Sequence, residues 1–232
     1  MAVDFHSHIL PGIDDGSSSL KESIGMLRME ADQGIRHVIA TPHFYAKHDS
    51  PERFLSRRKA SEERLREVLE EHPELPRITV GAEVYYFPGI SDSEALLGLT
   101  IDKTGCILLE MPYPPWTPRM YQEMENIRVK QGLTPIIAHV DRYIRPFKTY
   151  GIPEQLSQMP VLVQANASFF FRRSTAPMAM RLLKQERIHL LGSDCHNLTD
   201  RLPNLGAAYA QIQRRLGDEA IDRIEFYEQE IV

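Results

Sequence analysis

Nine side chains that could bind metal ions occur where the sequence pattern predicts that strands end. Eight of them directly follow short apolar segments, and the ninth, Asp15, lies in the first loop. The full set is His6, His8, Asp15, His43, Glu83, Glu110, His139, Asp194 and His196. Imidazole nitrogens and carboxylate oxygens suit zinc, manganese or iron. Because one ion would not use nine ligands, the set predicts two or three ions with positions left open for water.

Each member of this set also has an ordinary structural explanation. A single His-x-His pair such as His6 and His8 is only weakly specific, although both imidazoles would lie on one side of an extended segment. The Asp-Asp-Gly at residues 14–16 is, taken alone, more typical of a turn. Glu83 and Glu110 could each be a surface strand end. Their recurrence at successive strand ends favours one shared site, and such a site favours hydrolysis of a phosphoester.

Two arginines follow predicted ligands a few residues further along the chain. Arg142 lies three residues after His139, and Arg201 lies five residues after His196. Guanidinium groups at these positions could hold the oxygens of a phosphate in a bidentate manner. Exposed arginines that form salt bridges are the equally expected alternative.

Cys195 and Arg201 match the Cys-x5-Arg spacing of cysteine-dependent tyrosine phosphatases. That chemistry needs a loop of backbone amides aimed at the phosphate, which glycine usually eases. The intervening residues 196–200 contain no glycine and include the acidic Asp200. A cysteine phosphatase is therefore the weaker alternative, and we expect Cys195 not to be a nucleophile.

The predicted ligands need a scaffold that brings distant parts of the chain together. Short apolar segments alternate with longer segments of helical period, which predicts strands and helices in alternation. The predicted strands cover residues 3–6, 37–40, 78–81, 106–109, 135–138, 161–163 and 188–191. The first predicted helix begins near residue 19, and further helices are predicted over about residues 51–71, 118–131, 176–184 and 205–228. This order favours a parallel α/β sheet, either a closed barrel or an open doubly wound sheet, whose carboxyl ends converge on one face.

The composition is that of an ordinary globular protein, with 42% hydrophobic and 25% charged residues. We expect one domain over residues 1–232, because α/β barrels commonly have about this length. The net charge of -5 gives no general attraction to nucleic acid. No apolar run approaches the roughly 20 residues that span a bilayer, so we expect no membrane insertion. Two cysteines are too few for a disulfide framework, and the first predicted strand begins too early to leave room for a signal peptide. We therefore expect a cytoplasmic location.

Six short motifs resemble those of the polymerase and histidinol phosphatase (PHP) superfamily. They are His6-Ser7-His8, Asp14-Asp15-Gly16, Thr41-Pro42-His43, Gly81-Ala82-Glu83-Val84-Tyr85-Tyr86, Ala138-His139-Val140-Asp141-Arg142-Tyr143 and Gly192-Ser193-Asp194-Cys195-His196-Asn197. Within the superfamily, the chain is most similar to the bacterial manganese-dependent protein-tyrosine phosphatases encoded with capsule and exopolysaccharide genes. The likeness runs through nearly the whole chain.

This resemblance implies a distorted (β/α)7 barrel with a three-metal centre, in which manganese is the expected ion and iron or zinc the alternatives. The ligands would be the nine residues named above, with Glu83 as a bridge, while Arg142 and Arg201 would hold the phosphate. The implied substrate is a phosphotyrosine-bearing protein, specifically the tail of a partner bacterial tyrosine kinase. A small-molecule phosphatase, such as a histidinol-phosphate phosphatase, would share the metal site and is the alternative. The chain departs from the family around residues 44–51 and 169–177, which leaves substrate preference and subunit contacts open.

Overall fold

The computed structural model describes residues 2–145 and 148–232. Nine short strands occur within these residues, and all of the strand pairs that they form are parallel. The strands are β1 (Val3–Ser7), β2 (His37–Ala40), β3 (His43–Phe44), β4 (Arg77–Val80), β5 (Glu83–Tyr85), β6 (Cys106–Glu110), β7 (Thr134–Ile137), β8 (Leu162–Asn166) and β9 (Leu190–Gly192).

Helices lie between most successive strands and complete the chain after β9. They are α1 (Leu20–Asp32), α2 (Pro51–Leu69), α3 (Leu96–Leu99), α4 (Pro118–Gln131), α5 (Ile152–Leu156), α6 (Ser168–Phe171), α7 (Ala176–Lys184), α8 (Leu205–Leu216) and α9 (Asp218–Ile231). The predicted bounds of α4 and α7 are confirmed to the residue. The sequence pattern does not predict α3, α5 and α6, which are too short to show a helical period. Within the described residues, we find no helix with the length and apolar character needed to cross a membrane.

The nine strands occupy seven positions, because two positions are each built from two short strands. Only two residues separate β2 from β3, and only two separate β4 from β5. The amide of Gly81 donates to the carbonyl of Ala40, and the amide of Glu83 donates to the carbonyl of Pro42. Pairing therefore continues across both breaks, and the predicted number of about seven strands holds for these positions.

Hydrogen bonds between the last and first strands close the sheet. One part of the sheet has the order β1-β2-β4, and the other has the order β3-β5-β6-β7-β8-β9. The amide of Asp194 donates to the carbonyl of His6 (2.8 Å), and the amide of His8 donates to the carbonyl of Cys195 (2.9 Å). The architecture is therefore a distorted (β/α)7 barrel, as the resemblance implies, and the open doubly wound alternative is wrong.

Helix α4 begins and ends at residues whose types set its boundaries. The hydroxyl of Thr117 accepts a hydrogen bond from the amide of Met120 (3.3 Å), and Pro118 occupies the first turn, where its missing N–H costs nothing. Gly132 ends the helix with a φ of 68°, a left-handed conformation that glycine adopts without strain. These signals set the length of the connection between β6, which ends at Glu110, and β7, which ends shortly before His139.

Apolar side chains cover both faces of the sheet. Ile107, Leu108 and Leu109 of β6 are all fully buried, as expected for a parallel strand with helices outside and a packed interior. Phe169 and Phe170 of α6 are also buried. The polar residues that follow the strands are therefore presented from a rigid apolar frame.

Candidate metal centre

The structure brings all nine predicted ligands together at the carboxyl ends of the strands. Their ligand atoms fall into four groups, within each of which the atoms lie within 4.8 Å of one another. The groups are His8 with Asp15, His43 and His196; His6 with His8 and Asp194; His6 with Glu83 and His139; and His43 with Glu83 and Glu110. Because neighbouring groups share a member, the arrangement can hold more than one ion side by side.

Glu83 lies at the centre of these groups and is 0% exposed. Its Oε2 atom is 3.1 Å from Nε2 of His6 and 3.3 Å from Nε2 of His8. The same atom is 3.0 Å from Nδ1 of His43, and Oε1 is 2.7 Å from Nε2 of His139. Burial opposes ionisation, but the attraction of His6 and the hydrogen bond from His139 hold the pKa of Glu83 well below its ordinary value. A buried carboxylate surrounded by imidazoles is suited to bridge two ions.

Three predicted ligands that lie outside the predicted strands are found inside strands, which corrects the predicted boundaries. His43 begins β3, Glu83 begins β5 and Glu110 ends β6, whereas His6 lies in β1 as predicted. Strands as short as β3 and β5 do not show an alternation of period two, so the pattern did not reveal them. His43 and Glu83 are nevertheless directly paired in the parallel register of β3 and β5, which places them side by side.

Several buried polar atoms of the centre have no hydrogen bond of suitable geometry among the described residues, although charged or imidazole groups lie close to some of them. They are Oε2 of Glu83, Oε2 of Glu110, Nδ1 of His43, Nδ1 of His139 and Nε2 of His196. Leaving a polar atom without a partner in a protein interior costs about 1–3 kcal/mol, and more for a charged group. Coordination of divalent ions uses the lone pairs of such nitrogen and oxygen atoms. The donor set therefore fits a metal centre.

Asp14, which the sequence does not single out, orients one of the predicted ligands. Its Oδ2 atom forms a hydrogen bond with Nδ1 of His8 (2.8 Å), which leaves Nε2 of His8 facing the centre. The same carboxylate accepts hydrogen bonds from the amides of His43 and Gly16, each at 3.0 Å. Gly16 is required here because a Cβ atom at this position would lie 2.4 Å from Cβ of His8.

Asp15 is the exposed member of the predicted set, with 66% of its side chain accessible, and its Oδ1 atom is 3.5 Å from Nε2 of both His43 and His196. Burial and the neighbouring His8 lower the pKa of His196 to about 3. The imidazole of His196 is therefore neutral near pH 7, which is the form that coordinates metal ions. Asp15 marks the open side of the centre.

Strand β8 adds two buried amide side chains that the sequence pattern misses. Oε1 of Gln164 accepts a hydrogen bond from the amide of His139 (2.6 Å) and lies 3.3 Å from Nδ1 of His6. Nδ2 of Asn166 donates to Oδ2 of Asp194 (2.9 Å). The strand runs three residues beyond its predicted end, because these polar residues interrupt the apolar pattern. The polar residues that directly follow this apolar strand are the signal that could have predicted the two amide side chains.

Two predicted ligands have backbone conformations that are uncommon for residues other than glycine. The φ angles of His139 and Asp194 are 31° and 55°, in the left-handed region. Such conformations cost on the order of 1–3 kcal/mol and concentrate at functional sites. The backbone amide of each residue is fixed by a hydrogen bond, from His139 to Gln164 and from Asp194 to the carbonyl of His6.

Arg142 and Arg201 lie at the rim of the centre, and both donate hydrogen bonds to Asp194. Arg142 contacts Oδ2, and Arg201 contacts Oδ1 at 2.7 Å. Both arginine side chains are also partly exposed. Burial opposes ionisation of Asp194, but the charge of His6 and the hydrogen bond to His8 hold its pKa well below the ordinary value. Two cations are thus anchored next to the ligand cluster, in reach of an incoming anion.

The structure argues against Cys195 as a nucleophile. Its thiol is fully buried, and burial together with the nearby carboxyls of Glu30 and Asp4 raises its pKa well above the ordinary value. A thiolate is the reactive form of cysteine, and this environment disfavours it. The amides of the following loop are also occupied, because Oδ1 of Asn197 accepts hydrogen bonds from those of residues 199, 200 and 201. They therefore do not form a cradle for phosphate.

The segment 44–51, for which we predict a departure from the family, lies beside the centre. Tyr45, His48 and Asp49 from this segment line an open cavity of about 530 Å³ together with Asp15 and His43. Burial and the negative charge of Glu110 raise the pKa of Tyr45, so its hydroxyl stays protonated at neutral pH. The cavity joins the metal centre to solvent.

Comparisons with known proteins give the family. The model of the family described as "Capsular polysaccharide synthesis, CpsB/CapC" matches residues 2–232. Tyrosine-protein phosphatase CpsB of Streptococcus agalactiae serotype V is 26% identical over 232 residues, which cover 96% of this chain and 94% of that protein. Tyrosine-protein phosphatase YwqE of Bacillus subtilis strain 168 is 29% identical over 222 residues, which cover 94% and 86%.

A solved structure has the same fold. It comes from the crystal structures of YwqE from Bacillus subtilis and CpsB from Streptococcus pneumoniae, which are described as unique metal-dependent tyrosine phosphatases. The TM-score is 0.82 at 23% identity, and the match covers 99% of this chain and 95% of the other. Since the family model spans nearly every residue, the chain belongs to the CpsB/CapC family of capsular polysaccharide synthesis proteins.

Proposed function

We propose that this chain is a metal-dependent phosphatase that removes phosphate from phosphotyrosine in proteins. The observation that carries the proposal is the convergence of nine ligand-type side chains, including the buried Glu83 at their centre, with two arginines anchored at the rim. Such a site combines places for several ions with positive charge for a phosphate. The family assignment supports the proposal, as do the relatives that are named tyrosine-protein phosphatases.

The proposed cofactors are three divalent ions, with manganese as the expected ion and iron and zinc as alternatives. Their proposed ligands are His6, His8, Asp15, His43, Glu83, Glu110, His139, Asp194 and His196. Bound ions of this kind polarise a phosphate ester and lower the pKa of water, which supplies the attacking hydroxide. Glu83 is the proposed bridge because both of its carboxylate oxygens face imidazole nitrogens.

The protein's own groups position the phosphate. Arg142 and Arg201 would hold its oxygens, and their hydrogen bonds with Asp194 orient both guanidinium groups before substrate arrives. The phenol of tyrosine has a pKa of about 10, so a tyrosine phenolate leaves more readily than the alkoxide of serine. No covalent phosphoenzyme is needed, and the buried Cys195 takes no part.

The proposed protein substrate is a phosphotyrosine-bearing protein of capsule or exopolysaccharide synthesis, such as the partner bacterial tyrosine kinase. The family description and the resemblance stated above support this choice. The cytoplasmic location, the absence of nucleic acid as a partner and the single domain over residues 1–232 stay predictions.

A comparison of substrates tests the proposed function. We expect the metal-loaded protein to hydrolyse a phosphotyrosine peptide with a higher kcat/KM than histidinol phosphate or a phosphoserine peptide of the same sequence. The Glu83→Gln variant, which removes the proposed bridge, should lose hydrolysis of all three. A preference for histidinol phosphate would instead support the small-molecule alternative. Tight metal binding without hydrolysis of any phosphoester would contradict an enzymatic role.

A further inference from the structure

Two tyrosine rings form an aromatic surface beside the metal centre. The ring of Tyr45 stacks on the imidazole of His43, with centroids 5.2 Å apart and 30° between the planes. It also packs against Tyr85, at 5.6 Å and 43°, and against His48, at 6.3 Å. Tyr45 therefore directly contacts a proposed metal ligand, on the side of the centre where β3 and β5 end.

These contacts leave Tyr45 accessible. The residue is 37% exposed and lines the cavity of about 530 Å³ whose wall also includes Asp14, Asp15 and His43. A volume of this size is typical of a site for a small organic group. The cavity is thus bounded by groups of the metal centre and by an exposed aromatic ring, and it has room for whatever is attached to a phosphate held at the centre.

We propose that Tyr45, supported by Tyr85, receives the aryl group of the substrate, so that the phenyl ring of phosphotyrosine packs on it while the phosphate lies at the metal centre. This inference rests on the proposed function, and it names the residue that selects aryl phosphates over alkyl phosphates. The phosphate and the ring of phosphotyrosine are joined through a single oxygen. A phosphate held beside His43 would therefore leave its ring in reach of Tyr45, and aromatic rings attract one another at centroid distances of about 4.5–7 Å.

Serine and threonine phosphates carry no ring, so they gain nothing from this surface. Tyr45 also lies in the segment 44–51, for which we predict a departure from the family motifs that leaves substrate preference open. Its side chain could instead serve only to hold the imidazole of His43 in place. A non-aromatic side chain of similar bulk separates the two roles. It would weaken binding of aryl ligands alone in the first role, and binding of all phosphate-like ligands in the second.

Binding of two phosphonates to the metal-loaded protein tests the inference. Phenylphosphonate and methylphosphonate carry the same anionic group, are not hydrolysed, and differ in the ring. We expect Tyr45→Leu to weaken phenylphosphonate binding about three- to tenfold while methylphosphonate binding is unchanged. Tyr45→Phe should bind both ligands as the wild type does. Phe226→Leu, which replaces an exposed ring on α9, is the matched control and should change neither Kd.

Three results would overturn the inference. The wild type could bind the two phosphonates equally, Tyr45→Leu could weaken both to the same extent, or Tyr45→Leu could weaken neither. The second result, with a reduced metal content, would show that Tyr45 only supports His43. The test is separate from that of the proposed function, because phosphonate binding can be measured whether or not the protein hydrolyses phosphotyrosine peptides.

Discussion

Nη2 of Arg201 lies 2.7 Å from Oδ1 of Asp194, so a proposed phosphate-binding cation is hydrogen-bonded to a proposed metal ligand. Arg142 binds the other oxygen of the same carboxylate. Asp194 is ionised over the physiological range, because the attraction of His6 and Arg142 outweighs the effect of burial on its pKa. The carboxylate of Asp194 thus connects the proposed metal ligands to the two arginines proposed to bind the phosphate of a phosphoester.

We expect Arg201→Ala to lower kcat/KM for a phosphotyrosine peptide roughly 100-fold, because one donor to the phosphate oxygens is lost. Arg201→Lys should recover only part of the rate, since an ammonium group cannot reproduce the planar fork of a guanidinium. Steady-state kinetics and metal analysis of both variants check this. The control is Arg215→Ala, which alters an exposed arginine near the end of α8. Loss of bound metal in Arg201→Ala, with no separate kinetic effect, would contradict the proposed role.

Gln164 tests whether hydrogen bonds to the proposed ligands His6 and His139 contribute to metal affinity. Gln164→Leu removes the acceptor for the amide of His139 and the contact with Nδ1 of His6. Residues that orient metal ligands from behind typically change affinity by a factor of about 10–100 when altered. We expect a loss of this size in manganese affinity, measured by calorimetric titration. Gln122→Leu, on the exposed side of α4, should bind the metal normally, and unchanged affinity in a folded Gln164→Leu protein would rule out the role.

Much of the candidate site can be predicted from the sequence because of one regularity of parallel α/β folds. The carboxyl ends of the strands meet on one face, so ligand-type residues such as His6, His139 and Asp194 can be grouped although they lie far apart in the chain. Helix bounds are equally predictable where capping residues are present, as at Thr117 and Gly132 around α4.

The supporting residues depend on geometry that no local pattern encodes. The conformation of the loop decides which of Asp14 and Asp15 forms a hydrogen bond with a metal ligand, and aspartate is an ordinary residue in turns. Gln164 breaks the apolar pattern of its strand, so the pattern ends before it. Closure of the barrel depends on hydrogen bonds such as the one from Asp194 to His6, which lie far apart in the sequence. An open sheet would show the same alternation of elements.

Replacement of the buried thiol separates the metal mechanism from the cysteine mechanism. We expect Cys195→Ser to retain hydrolysis of a phosphotyrosine peptide, because the thiol is buried and its pKa is raised. Cys106→Ser, at the other buried cysteine, is the matched control. Activity and the melting temperature should be measured together, so that a loss of fold is recognised. A folded Cys195→Ser protein that retains its metal and is inactive would support the cysteine alternative.

Glu228 on α9 is expected to make stability depend on pH. Burial raises its pKa to about 7, and its Oε1 atom accepts a hydrogen bond from the hydroxyl of Tyr209 (2.6 Å). The folded state therefore holds a proton that the unfolded chain releases at an ordinary carboxyl pKa. This contribution is fully present below pH 4.5, declines as the pH rises to about 7, and amounts to at most about 3 kcal/mol.

In Glu228→Gln the group cannot ionise, so this decline disappears. We expect the melting temperature of the variant, relative to the wild type, to be higher at pH 8 than at pH 5, as measured by thermal denaturation. Glu230→Gln, an exposed position on the same helix, should show no such difference. If the two variants behave alike, Glu228 does not hold a proton in the folded state near neutral pH.

Chelation coupled to hydrolysis tests the central claim most directly. The protein should be analysed for bound metals and assayed on a phosphotyrosine peptide before chelation, after chelation and after manganese is added back. The donor set around Glu83 predicts bound ions in the active protein, loss of hydrolysis when they are removed, and recovery on adding manganese. Full hydrolysis by a protein that is shown to be free of metal would contradict the account.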